Sequence, residues 1–272
     1  MATGPHAPPS VFDEALVAER LARSDPSVDF LDRHAAREAV DRIALANRTF
    51  ATVGVLARRP AAVRNILAAG LPGTTVVEAP AGPVACLVVI FGPETINDLP
   101  VFLERCRAQL QPDGLFLCAM LAGDTLSELR EAFTLAELER TGGASPRVAA
   151  FAGIRDLGGL LQRAGFAMPV VDSERLTVRY GEALSLMREL KAMGWSNPVA
   201  ARSRTPATRG LLAEAARTYA DRFADPDGRV RATFEIAWLT GWSPGPGQPV
   251  PLRPGSAKVR LAEALKTTER KL

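Results

Sequence analysis

The chain has 272 residues, 33 of them Lys or Arg and 30 Asp or Glu, for a net charge of +3. Hydrophobic residues make up 47%. That composition belongs to a globular chain with a sizeable core, and the mild charge does not call for nucleic acid as a partner. No apolar run approaches the roughly 20 residues of a membrane span, so no transmembrane segment is expected.

The opening MATGPHAPPS is Pro-rich and lacks the basic start and apolar core of a secretory signal. Cys86, Cys106 and Cys118 are far apart and lie within or beside apolar runs, so they read as buried free thiols rather than metal ligands. With them the expected setting is a reducing, cytoplasmic one. His6 and His34 have no nucleophile or metal motif around them, and no metal site is expected.

Two helices are expected first, Val11 to about Arg23 and Phe30 to Arg48. In the second, Phe30, Leu31, Ala35, Ala39, Ile43 and Ala46 share one face. Thr52 to Leu56 is the first strand. Arg58 and Arg59 follow, then Pro60, suited to a first helical position, and Gly70 as the C-cap. At the helix N-terminus the two arginines read as a solvated pair, with anion binding as the alternative. Thr74 to Glu78 is a short second strand, and Ala85 to Phe91, wholly apolar, a central third.

Asp98-Leu99-Pro100 opens a helix with Leu99, Leu103, Cys106 and Leu110 on one face. Pro112-Asp113-Gly114 carries turn chemistry, and Leu115 to Leu121 is a continuous apolar run, the mark of a strand covered on both faces. Gly123-Asp124-Thr125 then leads into a helix, with Asp124 or Thr125 as N-cap. This alternation reads as a doubly wound, mostly parallel α/β sheet, in which ligands sit outside the carboxyl ends of the strands. Gly123 to Leu126 is therefore a candidate site. Asp124, Thr125 and Arg130 would line the substrate mouth there, against the plainer reading of capping and an exposed ion pair.

Further on come a helix from Ile154 to Ala164, short strands Pro169 to Asp172 and Leu176 to Tyr180, and helices Glu182 to Met193 and Ala207 to Phe223. The loop between those last helices carries Trp195 and Asn197, candidates for substrate or partner contact. Arg231 to Trp242 is a late strand with Phe234, Ile236 and Trp238 on one face. A Pro/Gly-rich linker and a basic tail helix, Ala257 to Lys271, complete the chain. The expected organisation is residues 1–48 as leader and helices, 49–181 as core, 182–230 as a helical lid, 231–242 as last strand and 243–272 as linker and tail.

Several of these segments carry a family resemblance. GDTLSELR at Gly123 to Arg130, GGASPR at Gly142 to Arg147 and DLGGLLQRAGF at Asp156 to Phe166 come in order. LMRELKAMGWSN at Leu186 to Asn197 and DGRVRATFEIAWLTGW at Asp227 to Trp242 follow. The chain resembles the class I S-adenosylmethionine (SAM) dependent methyltransferases. Within them it is most similar to the methyltransferase-like complex I assembly factors and to the malonyl-carrier-protein methyltransferases of biotin synthesis.

The resemblance implies a seven-stranded sheet with its last strand antiparallel, and a lid of helices inserted before that strand. It also implies SAM as cofactor and a protein or small acyl substrate. The positions it assigns to the cofactor are Gly54, Glu78 at the end of the second strand, and Gly92 after the third. The glycine-rich D-x-G-x-G loop of such enzymes is replaced here by Gly54-Val55-Leu56-Ala57-Arg58-Arg59-Pro60. About 60 residues separate that strand from Pro112, too few for every strand-helix unit at about 30 per crossover. The chain thus reads as a methyltransferase that kept its lid and lost its cofactor cradle. The alternative reading is a non-catalytic relative, or pseudoenzyme, that binds a protein client or an active paralogue.

Overall fold

The computed structural model describes residues 10–246 and 248; the leader and the basic tail helix expected from the sequence lie outside them. Two helices come first, α1 (Glu14–Ala22) and α2 (Phe30–Leu45). The core then alternates β1 (Thr52–Ala57), α3 (Pro60–Gly70), β2 (Thr75–Glu78), β3 (Val84–Ile90), α4 (Leu99–Ala108), β4 (Leu110–Ala122), α5 (Ser127–Thr141) and α6 (Ile154–Arg163). Strand β5 (Ala167–Tyr180), helices α7 (Ala183–Ala192) and α8 (Arg209–Phe223), and strand β6 (Val230–Trp242) follow.

The strands form one sheet in the order β2-β1-β3-β4-β6-β5. The pairs β1–β2, β1–β3 and β3–β4 are parallel, whereas β6 runs antiparallel to both β4 and β5. Both faces are covered. On β4, Leu115, Leu117, Ala119 and Leu121 pack beneath α2, α3, α5, α7 and α8, while Phe116, Cys118, Met120 and Ala122 pack beneath α4 and α6. A strand buried on both faces has no solvent side to mark with polar residues, which is why its sequence is an unbroken apolar run. Phe234, Ile236 and Trp238 of β6 share the first of these cores, as the alternation predicts. Cys86, Cys106 and Cys118 are free and buried.

Six strands stand where the resemblance implies seven, and the shortening lies between β2 and β3. Both run parallel to β1, on opposite sides of it. Parallel strands are ordinarily joined by a crossover of a dozen or more residues, often a helix. Here residues 79–83 make the passage alone. They cross the sheet over Gly54, where an added Cβ would lie 2.7 Å from Pro80 Cγ.

Four local expectations are corrected. Pro112-Asp113-Gly114 lies within β4, where the register against β3 shifts and Asp113 adopts φ 62°. The residues with turn chemistry form a bulge, and Asp113 rather than Gly114 takes the left-handed conformation. Gly70 is the last residue of α3 and not its cap, and a side chain there would meet Val40 of α2 at 2.7 Å. Its lack of a side chain lets two helices approach. The N-cap of helix α5 is Leu126 at φ 54°, with no side-chain cap bond; Asp124 meets the first turn only through its carbonyl, which accepts from the Ser127 N–H at 3.0 Å. The two short strands expected at Pro169–Asp172 and Leu176–Tyr180 are one strand, β5, paired with β6 along its length.

Candidate functional site

At the carboxyl ends of β1, β3 and β4, where an open α/β sheet places its ligands, the space is filled by charged side chains. Arg58, the first residue beyond β1, is half-buried, with its guanidinium turned into the fold. It donates from Nη2 to the carbonyl of Gly194 at 3.1 Å, and its guanidinium lies 5.3 Å from the ring centroid of Trp195. Arg59 turns the other way and donates to the carbonyl of Val28. Asp32, from α2, and Glu94, from the short 3₁₀ turn Pro93–Thr95, are both buried beside them. Both carboxylate oxygens of Glu94 accept from the Gly92 N–H, at 2.9 and 2.8 Å. Burial pushes Glu94 above the ordinary carboxylate range against the pull of Arg58, and raises Asp32 to about 6 against Arg59 and Arg58. Desolvation in turn lowers Arg58, against Glu94 and Asp32. Asp32 Oδ1, Arg58 Nε and Arg59 Nη2 have no hydrogen-bond partner among the described residues. The cavity left beside Arg58, Glu94 and Trp195 measures about 40 Å³.

The positions assigned to the cofactor do not converge on this crevice. Gly54 lies in the middle of β1, covered by Pro80, Val84 and Leu87. Glu78 ends β2 and faces Arg64 of α3 at 3.4 Å. Gly92 does stand at the crevice, at φ 112° and with Arg58 Cγ 3.7 Å from where its Cβ would be. What occupies its amide is Glu94.

A second concavity, of about 770 Å³, opens between α5 and the segment that runs from α7 to α8. Its floor is apolar, with Leu126, Leu129, Phe133, Phe151, Met187 and Leu212 among its residues. Its charged lining is entirely cationic: Arg20, Arg147, Lys191, Arg202 and Arg204. Two of the five are neutralised from behind. Arg147 pairs with Glu137 at 2.7 Å and Arg202 with Asp13 at 3.0 Å. Arg20 donates to the backbone carbonyl of Asn197. Neither it nor Lys191 nor Arg204 has an ion-pair partner among the described residues.

The residues expected at the substrate mouth divide in two. Asp124 is exposed and pairs with Arg175 of β5 at 2.7 Å. Thr125 is fully buried; its hydroxyl donates to the Ala122 carbonyl at 2.8 Å and accepts from the Glu235 N–H at 3.0 Å, tying β4 to β6. Arg130 donates to the carbonyls of Thr125 and Ala149 at 3.0 and 2.8 Å. These three brace the loop. Trp195 and Asn197, by contrast, both line the 770 Å³ groove, and Trp195 also bounds the small cavity. Trp195 packs edge-on against Phe91 with ring centroids 5.3 Å apart. The Asn197 side-chain amide donates to the Pro146 carbonyl at 2.6 Å and accepts from the Val199 N–H at 3.1 Å. Sequence reasoning missed the cationic groove, since its five charges come from α1, the loop after α5, α7 and the loop before α8.

The chain is similar to the mitochondrial arginine-hydroxylase NDUFAF5 of Danio rerio, at 42% identity over 171 residues, 63% of this chain and 53% of that protein. It is also similar to the malonyl-[acyl-carrier protein] O-methyltransferase of Laribacter hongkongensis, at 41% over 149 residues, 55% of this chain and 48% of that one. The chain is a homologue of both. It spans about half the length of the curated relatives it matches. No family model matches it. Among solved structures, a Bacillus halodurans protein assigned as a methyltransferase aligns at 13% identity with a TM-score of 0.47, over 76% of this chain and 98% of that one.

Proposed function

We propose that this chain is a methyltransferase-fold protein of the complex I assembly type that acts on a protein client, received in the groove between α5 and the lid. Two observations bear on this: the homology to NDUFAF5, and the charge of the groove, which carries the reading. Among the described residues, five cationic side chains, three of them without an ion-pair partner, and no carboxylate line an apolar floor, a combination complementary to an acidic segment with apolar side chains. Trp195 and Asn197 stand among the lining residues, and we assign them, with Lys191 and Arg204, to client contact. A substrate guanidinium would be repelled from this lining, so any client arginine would have to lie outside it. Three buried free thiols fit a reducing compartment such as the cytoplasm.

The methyl donor implied by the resemblance does not fit the crevice as folded. The backbone of β1 is covered by Pro80 at Gly54, Glu78 is turned to Arg64, and Arg58 fills the mouth. A remaining volume of about 40 Å³ falls far short of the roughly 300 Å³ at which ligand pockets begin.

The test is capture of complex I subunits or assembly intermediates by the full chain in its own host, scored by cross-linking and mass spectrometry. A Lys191→Glu/Arg204→Glu variant, exposed and so expected to keep the wild-type Tm, should recover at least tenfold less. Recovery of no complex I component, or equal recovery by the charge-reversed chain, would overturn the proposal. Capture of a related methyltransferase instead would favour the paralogue-binding alternative.

A further inference from the structure

We infer that Arg58 occupies the place a methyl donor would take and serves as a built-in pin, holding the lid loop on the sheet with no ligand bound. This does not rest on the client reading. Arg58 leaves β1 at its carboxyl end, so its backbone stands where the backbone of a glycine-rich loop would approach a cofactor. Its side chain then spans the crevice. One end of the contact is the core: Glu94, held by the Gly92 amide, and Asp32 supply negative charge. The other is the lid: the Gly194 carbonyl at 3.1 Å and the face of Trp195 at 5.3 Å. A ligand that closes a lid works through the same two sets of contacts, one to each side.

The arrangement resists being opened by a cofactor. Withdrawing Arg58 would leave Glu94 buried without the cation that attracts it across the small cavity, and an uncompensated buried charge is strongly unfavourable. It would also remove the cation from Trp195. The cavity beside it, about 40 Å³, holds on the order of one water. Arg58 is therefore a positioning residue, and its effect is read in the lid.

The experiment is hydrogen exchange over residues 183–198 of the full chain, alongside calorimetric titration with SAM. The wild type should show no SAM binding up to millimolar concentration and a protected lid. Arg58→Met, of similar length but uncharged, should exchange at least tenfold faster across residues 194–198, with Arg58→Lys between the two. Because Arg58→Met strands Glu94, the paired variant Arg58→Met/Glu94→Gln is measured as well, and the same acceleration is expected. Micromolar SAM binding by the wild type, or unchanged lid exchange in the folded Met variants, would overturn the inference. Either result leaves client capture through Lys191 and Arg204 as a separate question.

Discussion

Gly54 illustrates how a single residue can carry the right signal for the wrong reason. A glycine near the end of a first strand is where a cofactor's backbone approach would require one, and sequence alone offers no rival explanation. The rival is three-dimensional. Residues 79–83 cross over β1 at that point, and an added Cβ would lie 2.7 Å from Pro80 Cγ and 3.2 Å from both Val84 and Leu87 side chains. Gly54→Ala should therefore destabilise the fold by about 1–3 kcal/mol, the usual cost of overpacking a core, read as a lower denaturant midpoint with unchanged slope. A variant as stable as the wild type would mean that the crossover shifts freely and that the glycine is no spacer. Arg58 shows the converse. Adjacent arginines at a helix N-terminus argue for solvent, and only the arrival of Asp32 from α2 and Glu94 from beyond β3 makes a half-buried position tolerable.

Among the elements, the loop after α5 forms one wall of the groove, and its anchor is Glu137. This buried carboxylate accepts from the Ser145 N–H at 2.6 Å, the Ser145 hydroxyl at 3.0 Å and Arg147 Nε at 2.7 Å. Burial raises its pKa, but the bonds from Ser145 and Arg147 outweigh this and hold it below the ordinary value. Glu137→Ala should cost about 3 kcal/mol, as for other broken buried pairs, and should open the chain between Gly142 and Pro146 to limited proteolysis. Destabilisation without new cleavage would place the role of Glu137 in α5 itself and not in the loop. The elements themselves were largely legible. β3 and β4 announce themselves because both faces are apolar, and α4 and α6 through helical spacing of Leu103 with Cys106 and of Leu157 with Leu161. β5 was divided in the sequence because Asp172, Ser173, Glu174 and Arg175 interrupt its apolar pattern. As an edge strand paired only with β6, it tolerates them. The groove was not legible, because charges from four separated segments meet only in the folded chain.

For the whole molecule, the charged crevice predicts how stability responds to acid. Asp32 is held at about 6 by burial, against the attraction of Arg59 and Arg58, whereas an unfolded chain would titrate it near 3.9. Its folded pKa is raised, so the native state binds the proton more tightly than the unfolded one. The resulting stabilisation is fully present below about pH 4 and is lost as pH rises through about 6. The difference between about 6 and the reference 3.8 corresponds to about 3 kcal/mol at most. Asp32→Asn has no such proton to lose. Urea unfolding of both chains at pH 4.5 and pH 7 cancels the contribution of the carboxylates remote from Asp32. The variant's stability relative to wild type should move in its favour between those values. A constant difference would mean that Asp32 is ionised throughout, with Arg58 and Arg59 paired to it more closely than their unpartnered nitrogens indicate. The crevice would then be a satisfied ion network instead of a strained one, and Arg58 would be held there by its counter-charges more than by the lid.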